Sequence, residues 1–151
     1  MMDRFMRGFL AGALGGVVKH IWSYFAYDAL HFSRLRLADW ASVLIYGRPA
    51  ASTLELVFAT LAYIIFVGML GVGFAYLIPA INSRNYLFKG VMYGLFLGFV
   101  FYALPILFKI PYLMRTDLNT ALTTWIGDVL WGLVLAQALK WLDNRTVVPG
   151  R

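Results

Sequence analysis

Apolar residues run along this chain in four long blocks, with none of the strict alternation of a half-buried strand. The blocks cover about 5–27, 54–78, 87–108 and 118–142. No charge occurs between Glu55 and Arg84, and Asp128 is the one charge deep inside the fourth block. A membrane-spanning helix needs about 20 mostly apolar residues, and in hydrocarbon its backbone groups must be satisfied within the segment. Each block therefore predicts a helix. Pro79 and Pro111 suit helix ends, whereas Pro105 lies inside the third block and is expected to kink or shorten it. The pattern predicts an all-α fold, a four-transmembrane-helix bundle forming a single integral membrane domain over 1–151.

The longest polar segment is 28–53. Its core, "ADWASVLIYG", is too short to span. It reads either as a short interfacial helix, with Trp40 and Tyr46 at the headgroup level, or as an ordered loop packed over the bundle. The tail 144–151 is the only loose end expected. The start, Met1 to Arg7 before an apolar run, imitates a signal peptide. The run is too long for one and lacks a small-residue cleavage site, so it reads as a retained helix.

Composition sharpens this picture. Hydrophobic residues make up 62% of the 151 and charged residues 13%, with a mean hydropathy of +0.75. Soluble domains sit near half apolar and a quarter charged. The net charge of +6 comes from residues flanking the blocks, which leaves no basic stripe for nucleic acid. Four spans would put both termini on one side. Arg4, Arg7, Arg84, Lys89, Lys140, Arg145 and Arg151 would then share that side, against Arg34, Arg36, Arg48, Lys109 and Arg115 on the other. This excess favours cytoplasmic termini.

Absolute absences narrow the chemistry further. There is no cysteine, which removes disulfides, thiolates and iron–sulfur sites. His20 and His31 would lie about 16 Å apart on one continuous helix, too far to clamp a metal or haem, although a symmetric dimer could present His20 twice. No cofactor is expected. The chain has no nucleophile elbow, zinc-protease motif or phosphate-binding loop. "GMLGVG" at 68–73 is mid-block and reads as helix packing. Asp117 can cap the fourth helix, and the threonines after it can bond back to carbonyls. Trp40, Trp125 and Trp141 read as interface or lipid-facing bulk, whereas Trp22 and Trp131 are deep enough to pack inside.

Helical periodicity then sorts the faces. Gly8, Gly12 and Gly16 repeat every fourth residue, with Gly15 beside them, and Lys19 and Ser23 fall on the same side. His20 flanks it, near Tyr24 and Tyr27. Leu10, Leu14, Val17, Ile21 and Phe25 occupy the opposite face. Gly90, Gly94 and Gly98 form a second small face, and Thr124, Asp128, Gly132 and Ala136 a third. In lipid, small faces pack against other helices because glycine lets backbones approach. A lone charge at mid-bilayer costs about 2.5–3.5 kcal/mol on insertion scales. Lys19 and Asp128 fall within about one helical turn in depth on antiparallel first and fourth helices. An intramembrane polar cluster of Lys19, His20 and Asp128 is thus expected, built on a Lys19–Asp128 ion pair, with Tyr24, Tyr93 or Tyr102 as neighbours. The pair reads either as a lock on helix register or as part of a functional polar site.

"KGVMYGLFLGFVFYALPILF", then "LNTALTTW" and "LWGLVLAQAL", resembles the small YqhR-type integral membrane proteins of spore-forming Gram-positive bacteria. The matching positions are Gly90, Tyr93, Gly94, Pro105, Thr120, Thr123, Thr124 and Gly132. The likeness covers about the last third of the chain, with a looser match in the first helix. It implies a plasma-membrane location and four helices, and implies no mechanism; Lys19 and Asp128 lie outside it.

The chain thus reads first as a non-enzymatic membrane protein, a structural or partner-binding subunit. Its expected partners are membrane lipids and either a second copy or another membrane protein. The alternative is a small oligomeric transporter or channel using Lys19, His20 and Asp128. An intramembrane enzyme acting on lipid comes third, because no nucleophile–base set is present.

Overall fold

A computed structural model of the chain describes residues 2–80 and 84–146. The tail beyond 146, with Arg151, lies outside the described residues. Among those residues all regular structure is helical: α1 (Arg4–Tyr24), α2 (Leu37–Tyr46), α3 (Thr53–Ala80), α4 (Tyr86–Leu107) and α5 (Leu118–Thr146).

Local chemistry sets the ends. Asp3 caps α1 by accepting from the Met6 N–H at 2.8 Å. The far end of α1 widens over Phe25–Ala29, where the Leu30 N–H reaches back five residues to the Phe25 carbonyl. α2 stops at Gly47, whose φ of +70° suits glycine and lets its N–H return to the Val43 carbonyl at 2.9 Å. Ser52 Oγ accepts from the Glu55 N–H as α3 begins, and the Glu55 carboxylate accepts from the Ala51 N–H and from Arg48. That ion pair, together with its hydrogen bonds, holds the exposed Arg48 guanidinium above its usual range. Pro79 sits in the last turn of α3, and Pro105 lies two residues before the end of α4.

Three helices, α3, α4 and α5, are long and apolar enough to cross a membrane, not the four expected. α1 has 21 residues but not the apolarity. Arg4, Arg7, Lys19, His20 and its glycines dilute the aliphatic residues. Its outward face is nonetheless greasy, with Leu10, Leu14, Val17, Ile21 and Phe25 all exposed.

The four long helices are ordered α3–α1–α5–α4 by their contacts. α1 packs on α3 and α5, and α4 packs on α5, while the backbones of α3 and α4 scarcely approach each other although they adjoin in sequence. Two glycine-lined crossings make the close packing. On α1, a Cβ at Gly12 would lie 2.5 Å from the Val67 carbonyl oxygen and 2.8 Å from Gly71 Cα of α3. One at Gly8 would lie 2.8 Å from Val72 Cα, and one at Gly16 would strike the Val67 side chain. Gly15 instead faces α5, with Trp131 Cδ1 2.8 Å from such a Cβ. On α4, Gly90 and Gly94 lie against the backbone carbonyls of Gly132 and Asp128, and Gly132 lies against Gly90 in return. The buried core, with Phe74, Ile78, Trp131, Leu135 and Leu139, fills the half of the bundle near the start of α1.

α2 covers the other end. It is a helix, and it is also packed down, burying Ala38, Ala41, Ser42 and Val43. Trp40 turns inward and stacks on Tyr102 of α4 at 6.1 Å. The Ser23 hydroxyl at the end of α1 accepts from the Leu37 N–H at 2.8 Å and ties α2 in place. Ser23→Ala leaves that donor unsatisfied and is expected to cost about 1–3 kcal/mol, read as a lower Tm in detergent.

Candidate functional site

α1 and α5 are pinned together at four depths. The Arg7 guanidinium meets Asp143 at 2.8 Å, and the Trp131 indole N–H donates to the Gly12 carbonyl at 3.0 Å. Lys19 Nζ lies 2.5 Å from Asp128 Oδ1, and the Trp22 indole N–H donates to the Thr123 carbonyl at 2.9 Å. The two sequences run in opposite directions through these pairs, as antiparallel neighbours must.

The Lys19–Asp128 pair is the polar centre of the molecule, with side chains 14% and 5% exposed. Glycines clear its place on both sides. The Lys19 stem crosses Gly127, where a Cβ would lie 3.1 Å from Lys19 Cγ. The Asp128 carboxylate lies over Gly98, where a Cβ would collide with its Oδ2 and Cγ. Gly98 therefore positions the carboxylate, while Gly90 and Gly94 bring two backbones together.

His20 does not join the pair. Its ring packs against Tyr24 at 5.0 Å and Tyr63 at 6.3 Å. It lines a shallow groove with Tyr24, Leu56, Val57, Thr60 and Leu61 on the α1–α3 flank, and its Nδ1 is buried with no hydrogen-bonding partner. The three expected tyrosine neighbours go elsewhere. Tyr93 donates to the Leu70 carbonyl at 2.9 Å, Tyr102 stacks on Trp40, and Tyr24 lies beneath the Arg36 guanidinium. Tyr63 of α3 takes their place beside the pair. Nothing in the largely apolar sequence around Tyr63 marks it.

Lys19, Asp128 and Tyr63 line a cavity of about 430 Å³ between α3 and α4, with α2 across one end. Its walls are largely apolar, with Phe66, Leu97, Phe101, Leu44 and Trp40 among them. Phe66 meets Phe101 edge to face at 5.1 Å, bridging the gap between α3 and α4. The Tyr63 hydroxyl is buried without a hydrogen-bonding partner. Towards the Arg7–Asp143 end the space is closed by Tyr93, stacked on Trp131 and packed on Phe74.

At the entrance of α5, the Thr120 hydroxyl donates to Asp117 at 2.6 Å and accepts from the Arg34 N–H at 3.0 Å. The Thr120 bond, with Arg34 nearby, holds the Asp117 carboxyl below its usual range. Any stability this confers is present at neutral pH and is lost as pH falls through the lowered value. Thr123 and Thr124 bond back to the carbonyls four residues before them. No group of three or more metal-ligating side chains occurs among the described residues.

No protein-family model matches this chain, and neither a curated protein nor a solved structure does.

Proposed function

We propose that the chain is a multi-pass protein of the cell membrane in which α1 crosses with α3, α4 and α5. In this reading both termini are cytoplasmic, and the protein serves as a non-catalytic structural or partner-binding subunit. The observation that carries it is the Lys19–Asp128 pair at 2.5 Å, which draws α1 into the bundle and satisfies its one deep charge. The exposed aliphatic face of α1 supports the same placement. The excess of basic residues on one side supports the orientation.

A transport pathway through Lys19, His20 and Asp128 is disfavoured by two features. His20 opens onto a separate groove, and the core of Phe74, Trp131 and Leu135 stands between the pair and the Arg7–Asp143 end. A conducting route would need polar groups where those side chains pack.

Two measurements test the reading. The chain has no cysteine, so Met2→Cys and Ala50→Cys can each be labelled alone in intact cells and in inverted vesicles. They are expected to label from opposite sides; labelling from one side would remove α1 from the membrane. In proteoliposomes, the parent and the Lys19→Met/Asp128→Leu double variant are expected to show the same background proton and ion leak. A parental flux that the double variant loses would replace the subunit reading with the transport one.

A further inference from the structure

We propose that the cavity between α3 and α4 binds an uncharged amphiphile with a hydroxyl head and a hydrocarbon chain, its head at the Lys19–Asp128 pair. The inference rests on the membrane reading above, since the bilayer supplies molecules of this class.

Size comes first. A cavity of about 430 Å³ falls in the range of ligand sites, about 300–1,000 Å³, and is far larger than the voids of a packed interior. Its construction is the one such sites use: apolar walls with a few convergent polar groups. Here the ammonium, the carboxylate and the Tyr63 hydroxyl share one lining, with the hydroxyls of Tyr102 and Thr124 also on it. The Tyr63 hydroxyl is the second, independent sign. It is buried and has no hydrogen-bonding partner among the described residues, and burying such a group unpaired costs about 1–3 kcal/mol. A ligand oxygen would satisfy it.

Charge then selects the head. The pair is already neutral as a unit. An anionic head would compete with Asp128 for the ammonium, and a cationic head would compete with Lys19 for the carboxylate. Either would leave one buried charge without its counterion, the costly arrangement in low dielectric. A hydroxyl can donate to a carboxylate oxygen and accept from Tyr63 or Lys19 while the pair stays closed. The walls select the tail: Phe66, Leu97, Phe101 and Leu44 offer hydrocarbon a broad apolar surface.

Access follows from the helix order. The backbones of α3 and α4 scarcely approach each other, and the Phe66–Phe101 contact spans the gap between them. Phe66 is itself exposed on the outside of the bundle. These two rings form the lateral door through which a chain would leave the bilayer.

Tryptophan quenching tests the proposal directly, because Trp22, Trp40 and Trp131 line the cavity. The full chain, purified in detergent, is titrated with dibromostearyl alcohol, dibromostearic acid and dibromostearylamine. The alcohol is expected to quench saturably, with the acid and the amine weaker by about tenfold or more. Ala62→Phe, which fills the cavity from α3, is expected to abolish the saturable component. Tyr63→Phe keeps the ring and is expected to weaken the alcohol about three- to tenfold. Quenching that never saturates, that is equal for the three heads, or that both variants leave unchanged would overturn the proposal. The titration is done in detergent and the labelling in membranes, so failure of the ligand and failure of the topology are read separately.

Discussion

Asp128→Asn alone is expected to lower the stability of the folded protein by about 3–5 kcal/mol, because it leaves the Lys19 ammonium buried without a counterion. The amide fits the same space over Gly98, so the loss is electrostatic and not steric. Lys19→Met should cost a similar amount from the other side. The double variant Lys19→Met/Asp128→Leu should fall far short of the sum and approach the parent, since replacing both members of a buried pair by apolar groups is often neutral or stabilising. Unfolding by a graded denaturing detergent measures all three. Two single variants that unfold with the parent would show that the pair adds nothing to the fold.

Gly12→Ala is the second large effect. The added methyl would meet backbone on α3, the Val67 carbonyl at 2.5 Å and Gly71 Cα at 2.8 Å. No side chain can rotate away to make room. The helices must separate, and every contact along the crossing loosens with them. Overpacking a well-filled site costs about 1–3 kcal/mol, and a backbone-to-backbone clash belongs at or above the top of that range. Gly71→Ala presses on the same place from the other helix, towards Gly12 and the Gly8 carbonyl. The two changes should therefore be strongly non-additive, the first opening the gap that the second needs. Gly73→Ala is the control: it would meet only the Tyr93 hydroxyl, at 3.0 Å. Equal losses at positions 12 and 73 would contradict the crossing described here.

The parts of the fold that were legible in the sequence are those where a helix carries contrasting faces. α1 and α5 interrupt their apolar residues with glycine, lysine, histidine, threonine and aspartate, so periodicity alone orients Lys19 and Asp128. α3 is apolar nearly all round, and a helix of that kind gives no direction to its faces; α4 is marked only by its glycine face, which points to α5 and says nothing of α3. That is why the gap between them, the inward turn of Tyr63 and the cavity could not be read beforehand. The same blindness affects α2. The aromatic side chain of Trp40 fits an interface belt equally well, and its stacking on Tyr102 depends on where α4 lies. His20 adjoins Lys19 in sequence, yet one residue is 100° of helix, enough to place the ring on the α3 flank. The deficit of α1 as a spanning segment also has a local cause: the residues that make it dilute in hydropathy are those that join it to its neighbours.

The order α3–α1–α5–α4 has a consequence for how the chain is made. Lys19 emerges from the ribosome 109 residues before Asp128, and the glycine face of α4 emerges before α5, the helix it packs against. Until the last helix is synthesised, α4 lacks the helix its glycine face packs on, and the lysine has no carboxylate. Completion of the bundle is therefore a terminal event of translation, and a message cut short before residue 118 would leave the α1–α3 crossing without the helix that seats α4 and neutralises Lys19.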